Sequence, residues 1–129
     1  MKSNRDLALD LATKADHDLR MAEIGLAHRA PLDTVAFHIQ QAAEKMLKAL
    51  LASRAMEYPR THDVEALLDL IVPLYPEFES FREPLLGLSS YAVDMRYDTE
   101  LDPSREEVEA AMQTVRRLCE AVGKWLSSA

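Results

Sequence analysis

Side chains able to do chemistry gather at three places in this chain. The run Gln40-Gln41-Ala42-Ala43-Glu44-Lys45-Met46-Leu47-Lys48 sets two amides, a carboxylate and two ammonium groups along about two helical turns. Gln40, Glu44 and Lys48 stand four residues apart and form one polar line. The acid-before-base order of Glu44 and Lys48 stabilises a helix by only about 0.2–0.5 kcal/mol. Such a line is either solvated, bonded to a neighbouring helix, or turned toward a ligand, and all three readings stay open here. The second place is Thr61-His62-Asp63. A histidine there either contacts a ligand or helps to satisfy the exposed N–H groups of a helix start. The third is Arg96-Tyr97. A guanidinium can hold a phosphate and an aromatic ring can stack on a base. The same pair can equally form an ion pair with Asp94 or Asp98 and close the end of a helix bundle.

Most catalytic signatures are missing. The sequence has no glycine-rich phosphate loop, no G-x-S-x-G elbow and no H-E-x-x-H. Its four histidines, His17, His28, His38 and His62, include no i,i+4 pair, and no Glu-x-x-His occurs. Neither a metal site nor a cofactor is expected. Cys119 is the one cysteine, so no internal disulfide is possible and a reducing compartment is expected. It falls on an apolar helix face and reads as buried and inert. The start of the chain lacks a signal-peptide h-region, and no stretch approaches a membrane span, so a soluble cytoplasmic protein is expected. Fifteen Lys and Arg against twenty-two Asp and Glu give a net charge of −7 and a pI near 5.0. That balance excludes a globally basic nucleic-acid binder but leaves room for a local basic cleft.

The elements that must position these groups are helices. With 129 residues, 48% of them hydrophobic, and only three glycines, the chain has the size and composition of a single helical domain over 1–129. A first helix runs from about Asn4 to Arg29, with Ala8, Leu11, Ala15, Leu19, Ala22 and Leu26 at steps of three and four. Asp33 is a candidate cap for a second helix reaching about Met56, whose Ala36, Ile39, Ala43, Met46 and Leu50 form a seam. Val35, Ala42 and Ala49 widen that surface beyond one contact, so the helix is either central in the bundle or shared with a partner chain. A short helix starting at Thr61 or Asp63 carries Val64, Leu67, Leu68 and Ile71. A fourth segment places Phe78, Phe81, Leu85, Leu88, Ala92 and Met95 in heptad-like register, with Pro84 as a kink or a start. The last helix opens with the capping box Ser104-x-x-Glu107 and continues an apolar face from Val108 to Leu126. Phe78, Phe81 and Trp125 fall on these faces and are expected in the core. The sum is an all-α antiparallel bundle of four long helices plus one short helix.

The Gln-Gln-Ala-Ala-Glu-Lys block, the following Leu47-Lys48-Ala49-Leu50-Leu51, Thr61-His62-Asp63, Arg96-Tyr97 and the Asp18-Leu19 pair agree in order and spacing with one family. Over about residues 4 to 126 the chain resembles the HEPN domain (higher eukaryotes and prokaryotes nucleotide-binding). The resemblance implies a HEPN-like bundle that pairs as a homodimer and acts with a minimal nucleotidyltransferase partner, as toxin and antitoxin. It also implies a nucleotide or RNA as ligand. Many members are metal-independent ribonucleases with an Arg-x(4–6)-His motif, and its arginine maps to Arg96. No histidine follows at that spacing, since Leu101, Asp102 and Pro103 stand there, so the ribonuclease reading lacks a group to move the proton. The expected ligand site combines Arg96, Tyr97, Lys45, Lys48 and His62, with Glu44 orienting a cation. A helical dimer without a ligand is the remaining alternative.

Overall fold

Helix α1 (Asn4–Ala27) begins where Ser3 and Asp6 close a capping box, each side chain accepting from the other's backbone N–H. The computed structural model describes residues 2–88, 91 and 102–128, and over these it is all-helical. Helix α2 (Leu32–Ser53) follows after a short turn, α3 (Val64–Ile71) after a longer loop, then a 3-10 segment (Pro76–Phe81), and finally α4 (Arg105–Ser127). Asp63 caps α3 by accepting from the Glu65 N–H, and Ser104 with Glu107 makes the expected capping box on α4.

Helix α2 is the axis of the bundle. It packs against α1, α3 and α4, and thirteen of its residues are buried. The wide apolar face therefore has an explanation inside one chain. Ile39, Leu47, Leu50 and Leu51 are sealed from solvent, each contributing roughly 1.5–3 kcal/mol of burial. Facing them are Ala8, Ala15, Leu19 and Ala22 of α1 and Val108, Met112, Val115, Leu118 and Val122 of α4. The small residues on α1 let the two helices approach closely. At Gly25 an added Cβ would stand 2.9 Å from a Val35 methyl.

Several boundaries differ from the sequence expectation. Helix α1 stops at Ala27 and α2 at Ser53 because Arg29 and Ala55 adopt left-handed backbone, each with φ 57°. Beyond α2, Met56 N–H then bonds the Leu51 carbonyl and Ala55 N–H the Ala52 carbonyl, which closes the helix end with no glycine present. At the end of α1 the Ala30 N–H reaches Gly25, and an Arg105 N–H from α4 takes the Leu26 carbonyl. Asp33 does not cap α2: Pro31 holds that position without a side-chain bond, and Asp33 accepts from Thr34 inside the first turn.

The heptad-like run from Phe78 begins as the 3-10 segment and continues as turns through Leu88, where Pro84 and a positive φ at Gly87 prevent regular α geometry. Ala92, Met95 and the Arg96-Tyr97 pair lie outside the described residues. Phe78, Leu85 and Leu88 are nonetheless buried, while Phe81 is only partly covered. Trp125 is 39% exposed, so it is not core; its ring lies 4.6 Å from that of Tyr75 at the bundle surface.

Candidate functional site

The polar line on α2 is the organising feature, and it is buried. Gln40 is sealed, and Glu44 is 4% exposed. An ionised carboxylate in such a place needs several donors, or it would neutralise. Glu44 has three. Its Oε1 accepts from Gln40 Nε2 at 3.2 Å and His62 Nδ1 at 2.8 Å, and its Oε2 from Lys48 Nζ at 2.9 Å. Gln40 Nε2 also donates to the His62 carbonyl at 2.9 Å, and Gln40 Oε1 accepts from Gln41 Nε2 at 2.7 Å. No buried side-chain N or O among the described residues is left without a partner.

These bonds tie the loop before α3 to the middle of α2. They also make His62 Nδ1 a donor. Burial pushes the Glu44 carboxyl up, but the bonds from Lys48, His62 and Gln40 outweigh it and hold the group below its ordinary range. An ionised carboxylate only accepts, so the proton of a neutral His62 sits on Nδ1 and leaves Nε2 as the open acceptor. The His62 side chain is 55% exposed while its anchor is buried. Helix-start satisfaction belongs to the neighbours of His62: Asp63 caps α3, and Thr61 Oγ1 accepts from Asp63 N–H.

The lowered Glu44 carboxyl gives an acid prediction. A group that titrates lower in the folded than in the unfolded chain stabilises fully above the unfolded value and loses that contribution as pH falls through the folded one. Unfolding free energy is expected to drop as pH falls below the ordinary glutamate range and on through the lowered folded-state range, with a smaller drop in Glu44→Gln. Urea titrations of both proteins across that range check it. Equal slopes would remove Glu44 as the source.

The other expected lysine goes elsewhere. Lys45 Nζ donates to Asp18 Oδ2 at 2.6 Å, and His38 Nδ1 bonds Asp18 Oδ1 at 3.0 Å, across the α1–α2 contact. Lys45 and Lys48 thus serve two separate carboxylates. Sequence reasoning noted Asp18 without seeing its partners; the signal was a carboxylate placed beside the buried Ala15–Leu19–Ala22 stripe of α1. It missed Tyr58 as well, whose ring lies 5.8 Å from Lys48 Nζ. The structure brings together Glu44, Lys48 and His62 from the expected set, separates Lys45, and describes neither Arg96 nor Tyr97.

No group of three or more His, Cys, Asp or Glu among the described residues could hold a metal ion. Cys119 is half-buried, and burial beside Asp16 and Glu120 pushes its thiol up to about 11, which keeps it protonated at neutral pH.

The family model of the HEPN domain matches residues 8–125, from within α1 to within α4. The chain belongs to the HEPN family. This makes the HEPN bundle described above a nucleotide- or RNA-related module in the general sense of that family. Its fold is similar to the crystal structure of TT1696 from Thermus thermophilus, with a TM-score of 0.73 and 28% sequence identity over 91% of this chain and 96% of that one. No curated protein matches. No described helix of the HEPN chain is long and apolar enough to cross a membrane.

Proposed function

We propose that this HEPN chain is a homodimeric binding module that acts beside a minimal nucleotidyltransferase, in a toxin–antitoxin arrangement, with a nucleotide or RNA as its ligand. The Glu44 cluster carries this reading. A buried carboxylate holds a half-exposed imidazole next to an ammonium group, in a chain whose family is nucleotide- and RNA-related. That is a preorganised recognition surface. Arg96 and Tyr97 remain part of the reading on sequence grounds. The acidic net charge fits a module with few phosphate contacts better than one that coats RNA.

Pairing rests on the family and on exposed apolar side chains such as Met21 and Ile24, one turn apart on α1. The width of α2 no longer argues for it, because that face is filled within the chain.

One observation favours a ribonuclease reading: the oriented, half-exposed His62 is a group able to move a proton. Light scattering at tens of micromolar is expected to give twice 14.6 kDa, and purification from the native host to bring down a nucleotidyltransferase. A monomer that co-purifies with nothing would overturn the proposal. Cleavage of single-stranded RNA in EDTA is expected to be weak or absent. Steady cleavage lost in Arg96→Ala or His62→Ala would instead establish the ribonuclease.

A further inference from the structure

We infer that the corner between α2 and α3, formed by Tyr58, Arg60 and His62 over the Glu44 carboxylate, is where this protein contacts the base and phosphate of a nucleotide. The nucleotide is either free or the end of an RNA strand. The inference rests on the nucleotide-related reading above and gives it a location separate from Arg96.

Three observations converge on this corner. Glu44 gathers an imidazole and an ammonium: His62 Nδ1 lies 2.8 Å and Lys48 Nζ 2.9 Å from its two oxygens. The same Lys48 Nζ lies 5.8 Å from the centre of the Tyr58 ring, so a second ring stands at this spot, partly exposed. The backbone is also held. Gln40 grips the His62 carbonyl, and the Asp63 cap and the Thr61 bond fix the residues on either side. A site held this way loses little freedom when a ligand arrives.

The groups left open are those a nucleotide needs. Arg60 is exposed and makes no ion pair or hydrogen bond among the described residues, which leaves its forked donors to a phosphate. His62 uses Nδ1 on Glu44 and its side chain is 55% exposed, which leaves Nε2 as a further hydrogen-bonding group. Tyr58 offers a ring for a base to stack on. Lys48, 15% exposed and bound to Glu44, holds the corner together and does not reach out. Nearby acids are partly engaged: Asp63 Oδ1 takes the Glu65 N–H, while Glu57 is exposed on the same loop and limits affinity for highly charged ligands. The Lys45–Asp18–His38 group lacks this character, since Lys45 and His38 are both partly buried and turned to one carboxylate.

The test is calorimetry at low salt with inorganic phosphate, AMP, and hexa-adenylate RNA with and without a 5′-phosphate. AMP is expected to bind more tightly than inorganic phosphate, because the base adds stacking. Arg60→Ala and Tyr58→Leu are each expected to weaken AMP about tenfold. Arg116→Ala, which also removes one positive charge but lies on α4 beside Glu23, should leave it unchanged. Preference for the 5′-phosphorylated RNA over AMP would identify the strand end as the source, and equal affinity the free nucleotide. Binding that survives Arg60→Ala and Tyr58→Leu but is lost in Arg96→Ala overturns the corner and leaves the nucleotide reading intact. No binding of AMP or of either RNA overturns both.

Discussion

Glu44→Ala is expected to destabilise the protein by about 3 kcal/mol, the lower end of what breaking a buried ion pair costs. The alanine strands three groups at once. Lys48 is left with a nearly buried ammonium, Gln40 with an amide short of an acceptor, and His62 with a free Nδ1–H. The value stays at the lower end because Lys48 sits near the Tyr58 surface and can swing toward water. Glu44→Gln keeps the shape and one acceptor, so its loss should be smaller. Urea unfolding at neutral pH measures both. A Glu44→Ala cost below about 1 kcal/mol, the value of a solvated pair, would show that the cluster is wet. The same variant should release the loop before α3, read as faster amide exchange at Thr61 and His62.

Phe78→Ala is expected to cost about 3–5 kcal/mol, the range for emptying a large aromatic site in a core. Phe78 is fully buried, with Tyr75 and Phe81 rings 5.9 and 5.7 Å away. It belongs to a 3-10 segment with few internal bonds, which depends on this side chain to stay on the bundle. Thermal unfolding followed by circular dichroism checks the prediction. Phe81→Ala serves as the comparison, and since Phe81 is only partly covered its loss should be markedly smaller.

Much of the bundle was legible in the chain because helix periodicity and capping are local. The i, i+3, i+4 stripe of α4 and its Ser104–Glu107 box depend on residues within a few turns, and both stand in the structure as the sequence implies. Trp125 shows the limit of periodicity. It sits on the correct stripe, yet at the last turn of α4, where no neighbouring helix covers it fully. The ends of α1 and α2 were overrun for a similar reason: Arg29 and Ala55 adopt left-handed backbone that glycine usually supplies, so their residue types carry no stop signal.

The candidate site divides the same way. The sequence by itself determined that Gln40, Glu44 and Lys48 share a helix face, because a four-residue step is nearly a full turn. It also determined the HEPN family, since the blocks that carry it are runs of particular residues in order. Only the tertiary structure decided that this polar line is buried, that His62 comes back eighteen residues later to share the Glu44 carboxylate, and that Lys45 turns away to Asp18. Those outcomes depend on which helix lies across α2 at each height. A helix face specifies a direction but not its occupant. The occupant follows from how α1 and the loop before α3 settle around the buried seam, where a charge must find a partner or remain in water.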